Sequence, residues 1–430
     1  MPATSELAKN DQQLKLPSTC DALIIGAGVI GLMSAIRLRE AGLSVVLCDQ
    51  KHIGAGSSSG NMGMITPSHA PPLTRPQTIA LLPKALLSPS APVRIKMRFN
   101  RQFLGFAARF LRSCTNAHFQ HAASACHQLL IRSRALYEEL AESLPDSFEW
   151  TTRGLLTVSS HSRSRQDFDQ EVEWLNSLGI APRWLSRDEM YAIAPALSDN
   201  VASGWLHERD AHLKPDRLLQ ALLNRALSIG VQISDNTAVE LSKMHRTDTT
   251  VTLNRQPLRA GNIVVTAGAW TPALLGNLMR HLPIEVGKGY SLTSPEPLPG
   301  LDRPLLLHDA SAAITPWASS WRVGGTMEFC GQDPSLNKVR LNALRTAAND
   351  ALKEPIGLEQ AEPWAGFRPM SADGIPVIGR VPGCQSVYVA AGHSMLGVSM
   401  APATAELVSA LVCDTSTDID PQPYDPTRFC

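Results

Sequence analysis

The sequence predicts an α/β protein made of two interleaved domains, one of which is discontinuous along the chain. A glycine-rich turn lies between two short apolar runs near the amino terminus, and further strand-like runs recur far downstream. Between these pieces lie one block with helical spacing of its leucines and another block that is rich in strand patterns. The 430 residues are enough for two or three domains.

The glycine-rich turn spans residues 26–31 and has the pattern G-x-G-x-x-G. An apolar run at 21–25 precedes it, and an amphipathic helical pattern and a second apolar run follow it. This strand–helix–strand context is what a dinucleotide-binding fingerprint requires. Gly26 permits the tight turn, Gly28 lets backbone approach a pyrophosphate, and Gly31 permits close packing of the helix on the sheet. The helix N-terminus offers unpaired N–H groups to the phosphates.

An acidic residue stands where such a site binds ribose. Asp49 ends the second apolar run, 18 positions after Gly31. A carboxylate there accepts hydrogen bonds from both ribose hydroxyls and disfavours a 2′-phosphate, which argues against an NADP-like ligand. A glycine turn that only packed a helix against a sheet would not need this carboxylate.

The positions of the other strand-like runs distinguish NAD from FAD. A nicotinamide-dependent dehydrogenase usually completes its nucleotide fold in one contiguous block. Here strand patterns recur at 230–241, 262–266 and 387–392, and a helical pattern follows at 400–412. The nucleotide-binding domain is therefore expected to contain insertions, which favours FAD.

The sequence therefore predicts a discontinuous Rossmann-type FAD-binding domain with an interleaved α+β substrate domain of mixed antiparallel sheet and helices. The helical block contains a leucine-rich pattern at 122–144, and strand patterns fill 284–364. The predicted boundaries are 21–75, 190–283 and 365–415 for the FAD-binding domain, 76–189 and 284–364 for the substrate domain, and 1–20 for an N-terminal extension.

Composition and charge exclude several classes of protein. The 39 basic and 39 acidic side chains balance, so no broad electrostatic footprint for nucleic acid is expected. No apolar run approaches the roughly 20 residues that span a bilayer, and residues 1–20 lack the apolar core of a secretory signal. The eight cysteines form no C-x-x-C pair, and no H-E-x-x-H pattern occurs, so we expect reduced thiols, a cytoplasmic location and no metal.

Several short motifs, in one order along the chain, resemble a known family. The chain is similar to the flavoproteins that oxidise amino acids at the Cα–N bond, namely D-amino-acid oxidase, glycine oxidase, sarcosine oxidase and, most of all, bacterial D-amino-acid dehydrogenase. The glycine turn is shared by many flavoproteins, whereas the carboxyl-terminal set is specific. The motifs lie at 26–31, 58–63, 266–270, 288–292, 322–325, 364–370, 373–379 and 391–397.

The resemblance implies which residues hold FAD. The serine-rich loop at 58–61 is expected to cradle the pyrophosphate and the flavin ring, and the backbone of Val239 is expected to pair with adenine. The backbone at 394–397 is expected to face the pyrimidine O2 of the flavin, where negative charge accumulates on reduction. The cofactor-binding prediction comprises Gly26, Gly28, Ile30, Gly31, Asp49, Gln50, Ser58, Ser59, Asn61, Gly63, Met64, Val239, Thr266, Ala267, Gly268, Trp270, Gly392, Ser394, Met395, Leu396 and Gly397.

Three side chains are implied at the reacting centre. Arg368 occupies the position of the family's carboxylate clamp, with a structural ion pair as the alternative role. Tyr290 is expected to hydrogen-bond the substrate and form a wall of its site, or else to be a core tyrosine. His393 lies in the turn beside the flavin, as an acid/base or, more simply, as a positioning group.

Further features concern attachment and substrate. No cysteine occurs at 366–374, near which sarcosine-oxidase-like enzymes attach their flavin, so non-covalent FAD is predicted. The run at 210–215 departs from the family's pattern, which puts its substrate contacts in doubt. The loop at 60–69 resembles forms found in dehydrogenases for cyclic D-imino acids, and Ser68 or His69 could reach a ring hydroxyl.

The motifs at 288–291 and 391–397 resemble the dehydrogenase branch of the family. The resemblance therefore implies a dehydrogenase for a small zwitterionic substrate, a D-amino acid or a cyclic D-imino acid such as D-proline or cis-4-hydroxy-D-proline. Electrons are expected to pass to a quinone-linked acceptor, with peripheral association at the inner membrane. The alternatives are a glycine- or sarcosine-type oxidase that uses O₂, and a non-catalytic flavin-binding subunit.

Overall fold

A computed structural model of the chain describes residues 16–88, 91–163, 169–241, 250–254 and 256–430. Most of the predicted extension at 1–20 lies outside the described residues, but Thr19 and Cys20 already belong to the first strand. The predicted boundary at residue 20 therefore falls inside the first strand, whose pairing begins at Thr19, and the extension itself stays a prediction. Within the described ranges, no helix combines the length and the apolar character that crossing a bilayer requires.

The first sheet carries the glycine-rich turn and is mostly parallel. Its strands, in spatial order, are β17 (Val377–Arg380), β18 (Val387–Ala391), β11 (Gln256–Val265), β1 (Thr19–Ile25), β2 (Val45–Cys48) and β9 (Gln232–Ser234), and β10 (Thr250–Leu253) pairs with β11. β1 runs parallel to both β2 and β11, and β18 runs parallel to β11. Such strands are covered on both faces, which explains why β1 is continuously apolar and buried from Ala22 to Ile25.

Helices cover both faces of this sheet. They are α1 (Val29–Glu40), α4 (Asn116–Ser143), α7 (Pro215–Ser228), α8 (Thr271–Leu275) and α10 (Gly397–Cys413). Ala22 and Ile24 of β1 belong to a buried cluster with residues of α1, α4, α7 and α10. Leu23 and Ile25 belong to a second cluster that includes Leu275 of α8. Successive side chains of β1 point to opposite faces of the sheet, so this strand contributes to the hydrophobic cluster on each face.

The second sheet is larger and mixed. Its strands, in spatial order, are β16 (Glu362–Ser371), β12 (Ile284–Ser294), β15 (Ser320–Phe329), β14 (Ala312–Trp317), β13 (Leu305–Leu307), β5 (Leu155–Ser159), β7 (Ser203–His207) and β6 (Arg183–Leu185), and β4 (Val93–Ile95) pairs with β15. β13 runs parallel to β5 and β4 runs parallel to β15, whereas the other neighbours are antiparallel.

The remaining elements surround the second sheet or bridge to it. The helix α9 (Lys338–Ala351) packs against β12 and β15, where Trp321 is fully buried. The remaining helices are α2 (Pro76–Leu87), α3 (Arg101–Ser113), α5 (Asp169–Ser177), α6 (Arg187–Ile193) and α9 (Lys338–Ala351), and a two-stranded sheet joins β3 (Met64–Ile65) to β8 (Ala211–His212).

Two strands of the second sheet come from chain segments that the sequence assigns to the FAD-binding domain. β16 pairs with β12 along its whole length, and β7 pairs with β5. The predicted segments 190–283 and 365–415 thus each contribute a strand to the other sheet. The cause is long-range backbone pairing, which leaves no mark on local patterns. The division into domains stays a prediction, and its boundaries shift at these two strands.

Candidate active site

A cavity of about 900 Å³ is lined by residues of both sheets. The first sheet contributes the carboxyl ends of its parallel strands, with Gly26 after β1, Asp49 after β2 and Thr266 after β11. The second sheet contributes Tyr290 of β12 and Arg368 of β16. A crevice at the carboxyl ends of parallel strands is where open α/β sheets bind nucleotides.

The glycine-rich turn has the geometry of a pyrophosphate site. Gly26 has φ of +109°, a conformation that favours glycine. A Cβ on Gly31 would lie 1.9 Å from the carbonyl oxygen of Gly26, so only glycine lets α1 approach β1 this closely. Gly28 caps α1 without a side-chain hydrogen bond, and the first turn contains no acidic residue. The helix N-terminus therefore presents N–H groups and a positive dipole end to the cavity.

The carboxylate of Asp49 organises the same turn. One oxygen accepts a hydrogen bond from the Ala27 N–H at 2.8 Å and the other accepts from the Lys51 N–H at 2.9 Å. Both bonds fix the carboxylate at the cavity wall beside the glycine turn. Each oxygen retains a lone pair, so the group can still accept from a ribose hydroxyl.

The loop at 57–63 is held from the second sheet. Ser57 donates to the carbonyl oxygen of Phe367 at 2.6 Å. The Arg322 guanidinium donates to the carbonyl oxygens of Ser59, at 3.1 Å, and Asn61, at 2.5 Å. Burial lowers the pKa of Arg322 to about 10, which leaves it charged at neutral pH. Arg322 lies in one of the sequence motifs, but the sequence did not indicate that it positions this loop.

A second helix N-terminus meets the cavity at the turn after β18. α10 begins at Gly397, its cap residue Leu396 makes no side-chain hydrogen bond, and its first turn has no acidic residue. The turn places Ser394 at φ of +51° and Gly392 at φ of +77°. The N–H groups of this turn and the dipole of α10 can stabilise negative charge on a bound ring.

His393, in the same turn, is 2% exposed. Its Nε2 lies 3.0 Å from the hydroxyl of Thr404 in α10, and its Nδ1 is buried without a partner among the described residues. Burial lowers the pKa of His393 to about 3, so the ring is neutral at physiological pH. A general base must become protonated, and burial disfavours the protonated, charged form of His393. The environment therefore suits a positioning group better than a base.

Arg368 carries a positive charge that the described residues leave without an anion. Its side chain donates to the carbonyl oxygen of Thr326 at 2.8 Å, and burial lowers its pKa to about 10. A Cβ on Gly289 would lie 2.3 Å from the guanidinium, so the neighbouring strand needs glycine there to make room. The alternative role of Arg368, an ion pair with a local acid, is not seen in the described part of the chain. A half-buried, charged fork lining a cavity is a site for a carboxylate.

Comparisons with known proteins agree with this geometry. The family model described as DAO, FAD dependent oxidoreductase, matches residues 21–411. The chain belongs to this family of FAD-dependent oxidoreductases. It is 26% identical over 408 residues to a D-amino acid dehydrogenase of Vibrio atlanticus, covering 93% of this chain and 97% of the relative. A protein with the same name from Cereibacter sphaeroides is 29% identical over 407 residues, with 93% of each chain covered.

Solved structures show the same fold. Glycine oxidase from Geobacillus kaustophilus superposes with a TM-score of 0.76 at 23% identity, covering 96% of this chain and all of that one. L-proline dehydrogenase from P. horikoshii gives 0.73 at 20% identity, covering 96% of this chain and 98% of that one. The predicted fold class and the FAD cofactor are thus confirmed. The glycine turn and the N-termini of α1 and α10 are the features that fit FAD, although the Val29 N–H of α1 already donates to the Ser58 hydroxyl at 3.2 Å.

Most residues of the cofactor prediction line the cavity of this FAD-dependent oxidoreductase. The exceptions act through their backbone or their packing. Gly31 allows the helix–strand contact, and a Cβ on Gly63 would lie 2.0 Å from the Leu213 carbonyl oxygen. The carbonyl oxygen of Ser59 accepts a hydrogen bond from Arg322. Those that line it are Gly26, Gly28, Ile30, Asp49, Gln50, Ser58, Asn61, Met64, Val239, Thr266, Ala267, Gly268, Trp270, Ser394, Met395, Leu396 and Gly397, and those that do not are Gly31, Ser59, Gly63 and Gly392.

Tyr290 lines the cavity, but its hydroxyl has another partner. It donates to the Glu328 carboxylate at 2.5 Å, and burial together with this bond raises its pKa. Glu328 also accepts from Asn337 and pairs with Arg340 at 3.6 Å. A hydrogen bond from Tyr290 to a substrate would require this buried contact to break, so the geometry favours the wall role.

The sequence indicated Ser68 and His69 as candidate substrate contacts but did not indicate that Asp210 lies beside them. Ser68 donates from its hydroxyl to Asp210 at 2.5 Å and from its N–H at 3.2 Å, and the His69 ring lies 3.2 Å from the same hydroxyl. Burial raises the pKa of Asp210 to about 7. Asp210 opens the run that departs from the family's pattern, and that departure was the available signal.

Proposed function

We propose that the chain is an FAD-dependent dehydrogenase that oxidises a D-amino acid or a cyclic D-imino acid at the Cα–N bond. The observation that carries the proposal is the uncompensated guanidinium of Arg368 in the cavity. The names of the curated relatives, D-amino acid dehydrogenase, support the substrate class.

Arg368 would bind the substrate carboxylate through two N–H groups and thereby fix the Cα–H bond relative to the cofactor. Bound FAD supplies the acceptor for a hydride from Cα. The substrate nitrogen gives up one proton, so the product is an imine, and two electrons leave the substrate. Tyr290 forms a wall, and neutral His393 holds the turn whose N–H groups face the developing negative charge.

The cyclic substrate, of the D-proline or cis-4-hydroxy-D-proline type, is supported by the polar pair at the cavity wall. Ser68 and His69 line a cavity that also exposes many apolar side chains. The Ser68 hydroxyl, anchored by Asp210, retains a lone pair that can accept a hydrogen bond from a ring hydroxyl.

The acceptor and the location complete the proposal. Two electrons and two protons would convert a quinone to a quinol and regenerate the oxidised cofactor. We place the enzyme in the cytoplasm, bound peripherally to the inner membrane where quinones dissolve. The eight free cysteines support a reducing compartment.

An anaerobic titration tests the proposal. The pure protein is titrated with D- and L-amino acids, including D-proline and cis-4-hydroxy-D-proline, while the flavin absorption band is recorded. Bleaching by D-enantiomers is expected. Rapid turnover of D-alanine with a dye acceptor, together with no turnover of D-proline, would exclude the proposal that the substrate is a cyclic D-imino acid. Peroxide formation in air without dye would favour the oxidase alternative, and failure of every amino acid to bleach the band would favour the non-catalytic subunit.

A further inference from the structure

One stretch of the chain combines positive charge with exposed apolar side chains. No aspartate or glutamate occurs between Asp49 and Glu138. Within residues 75–112, which we call the cationic–apolar segment, there are eight lysines and arginines. This segment is therefore strongly basic, although the basic and acidic residues of the whole chain are equal in number. Its charged residues are Arg75, Lys84, Arg94, Lys96, Arg98, Arg101, Arg109 and Arg112.

α2 is an apolar helix that the rest of the protein scarcely covers. Of its residues only Ala85 is buried, and Leu81 and Leu87 are 59% and 83% exposed. Helices of this composition usually bury their apolar surface in a core. The described fold provides no such cover for α2.

The rest of the segment continues the same surface. Phe99, between β4 and α3, is 86% exposed, and Lys96 beside it is exposed as well. α3 buries Phe103 and Phe106 towards the protein but leaves Leu104 and Leu111 outside. These two leucines lie seven residues apart and so share one helix face with the exposed Arg101.

The concentration of apolar exposure here is specific to the segment. Of the 14 large hydrophobic side chains that are exposed in the described part of the chain, nine lie between residues 79 and 111. Scattered exposed hydrophobic residues are ordinary, but a contiguous group marks an interaction surface.

Acidic groups of neighbouring elements neutralise little of the charge. Glu285 of β12 pairs with Arg98 at 3.0 Å. The pKa of the exposed Asp333 is lowered chiefly by hydrogen bonds that Ser335 donates to it, and less by the positive charges of Lys288 and Lys96. Lys84, Lys96, Arg101 and Arg112 are exposed and form no ion pair with any described residue.

We propose that the cationic–apolar segment docks on the surface of a bilayer that contains anionic lipids. Its leucines and Phe99 would enter the boundary between headgroups and acyl chains, and its cations would contact the lipid phosphates. The charge favours this partner over a second copy of the chain. In a dimer with two such segments face to face, the positive charges of one segment would repel those of the other, and neither segment has an acidic residue to compensate.

The segment also borders the cavity, which connects this surface with the proposed function. Pro92, Val93, Phe106 and Phe110 line the cavity, and Val93 is itself partly exposed. Docking would therefore bring the cavity rim to the lipid. A quinone dissolved in the bilayer could then reach the cofactor without crossing water, and this last step rests on the proposed function.

Co-sedimentation of the holoenzyme with vesicles tests the docking. Binding is expected to phosphatidylcholine vesicles that contain phosphatidylglycerol and not to phosphatidylcholine alone. The triple variant Lys96→Gln, Arg101→Gln, Arg112→Gln should bind about a hundredfold more weakly, since each cation near an anionic surface contributes about fivefold. Salt should weaken the wild type in the same direction.

An apolar variant and a matched control separate insertion from simple charge attraction. The triple variant Leu81→Ser, Leu87→Ser, Phe99→Ser should lose vesicle binding. Exposed hydrophobic residues elsewhere, in the variant Leu227→Ser, Leu336→Ser, Val339→Ser, provide the control and should leave binding unchanged. Equal binding by wild type and both segment variants would overturn the proposal. The proposal would also be overturned if the wild type does not bind vesicles but forms a dimer in their absence, and if the apolar variant is monomeric.

Activity measurements keep the two proposals distinct. With a soluble dye, every variant should oxidise the substrate as the wild type does, because none of the changed residues lines the cavity. With a long-chain quinone in anionic vesicles, only the segment variants should lose rate. A wild type that binds vesicles but oxidises no amino acid would contradict the proposed function and leave the docking surface intact.

Discussion

Arg368 is a cation for which the described residues supply no anion. Because it is half-buried at the wall of a cavity, a carboxylate bound there would form a charge-assisted, hydrogen-bonded pair that solvent screens only in part. We expect Arg368→Ala to lower kcat/KM by about 30- to 1,000-fold, or about 2–4 kcal/mol, mostly through KM. Steady-state kinetics with a dye acceptor measures this.

Two further variants support the interpretation of that result. Arg368→Lys keeps the charge but loses the planar fork, so it should recover only part of the affinity. Arg380→Ala removes an exposed arginine of β17 that bonds Tyr388, and should leave KM unchanged. Wild-type kinetics in Arg368→Ala would exclude the clamp role.

Asp210 is a residue whose burial predicts a pH effect on stability. Desolvation raises its pKa from 3.8 to about 7 in the folded state. The folded protein therefore holds this proton more tightly than the unfolded chain does, and stability falls as the pH rises from about 4 to about 7. Asp210→Asn should remove this loss, which amounts to about 1–4 kcal/mol. Thermal unfolding of both proteins across that pH range gives the difference.

Asp309 provides a control of opposite sign. Its desolvation, which raises the pKa, is outweighed by hydrogen bonds from Ser159 and Ser160, and the pKa is lowered to about 2. Asp309→Asn should therefore cost stability at neutral pH, and the difference should vanish as the pH falls towards 2. A pH-independent difference for Asp210→Asn would mean that Asp210 is already charged when folded.

Among the elements, the contact between β1 and α1 depends on a missing side chain. Gly31→Ala would place a Cβ 1.9 Å from the Gly26 carbonyl oxygen and 2.8 Å from the Thr266 hydroxyl, and the Gly26 backbone cannot move aside as a flexible side chain could. We expect the purified variant to contain far less flavin per chain than the wild type, measured by the ratio of flavin to protein absorbance. Gly105→Ala in exposed α3, where a Cβ meets nothing within 4 Å, is the matched control. Normal flavin content in Gly31→Ala would contradict the role of this packing.

At the scale of the whole molecule, a long-range contact brings a cysteine of another segment next to residues 366–374, which contain no cysteine themselves. Cys126 of α4 donates to the carbonyl oxygen of Gly374 at 3.5 Å and lines the cavity. Burial raises its pKa to about 12, which keeps it a thiol and a poor nucleophile. We therefore still expect FAD to be non-covalent. Acid precipitation should leave the yellow colour in the supernatant; colour in the pellet that disappears in Cys126→Ser would show attachment.

The sequence reveals those parts of the site that are encoded locally. The glycine turn, Asp49 and the turn at 391–397 are each adjacent in sequence to the strand or helix that positions them, and each contributes residues to the cavity wall. Contacts between distant segments are different. Arg322 supporting the loop at 57–63, Ser68 bonding Asp210, and the Tyr290 hydroxyl meeting Glu328 all depend on strand pairing and helix packing that no local pattern shows. The same cause moved β7 and β16 into the second sheet.

The order of strands in the first sheet has a consequence for biosynthesis. β1 ends at Ile25, yet its parallel neighbour β11 begins at Gln256, and α10 begins only at Gly397. A growing chain on the ribosome can thus pair β1 with β2, but the edge of β1 that faces β11 stays open through more than half of translation, a state prone to aggregation. Flavin loading must await nearly complete synthesis. Ribosome-bound chains stopped before Gly397 should retain no FAD, and chaperones should be found on them.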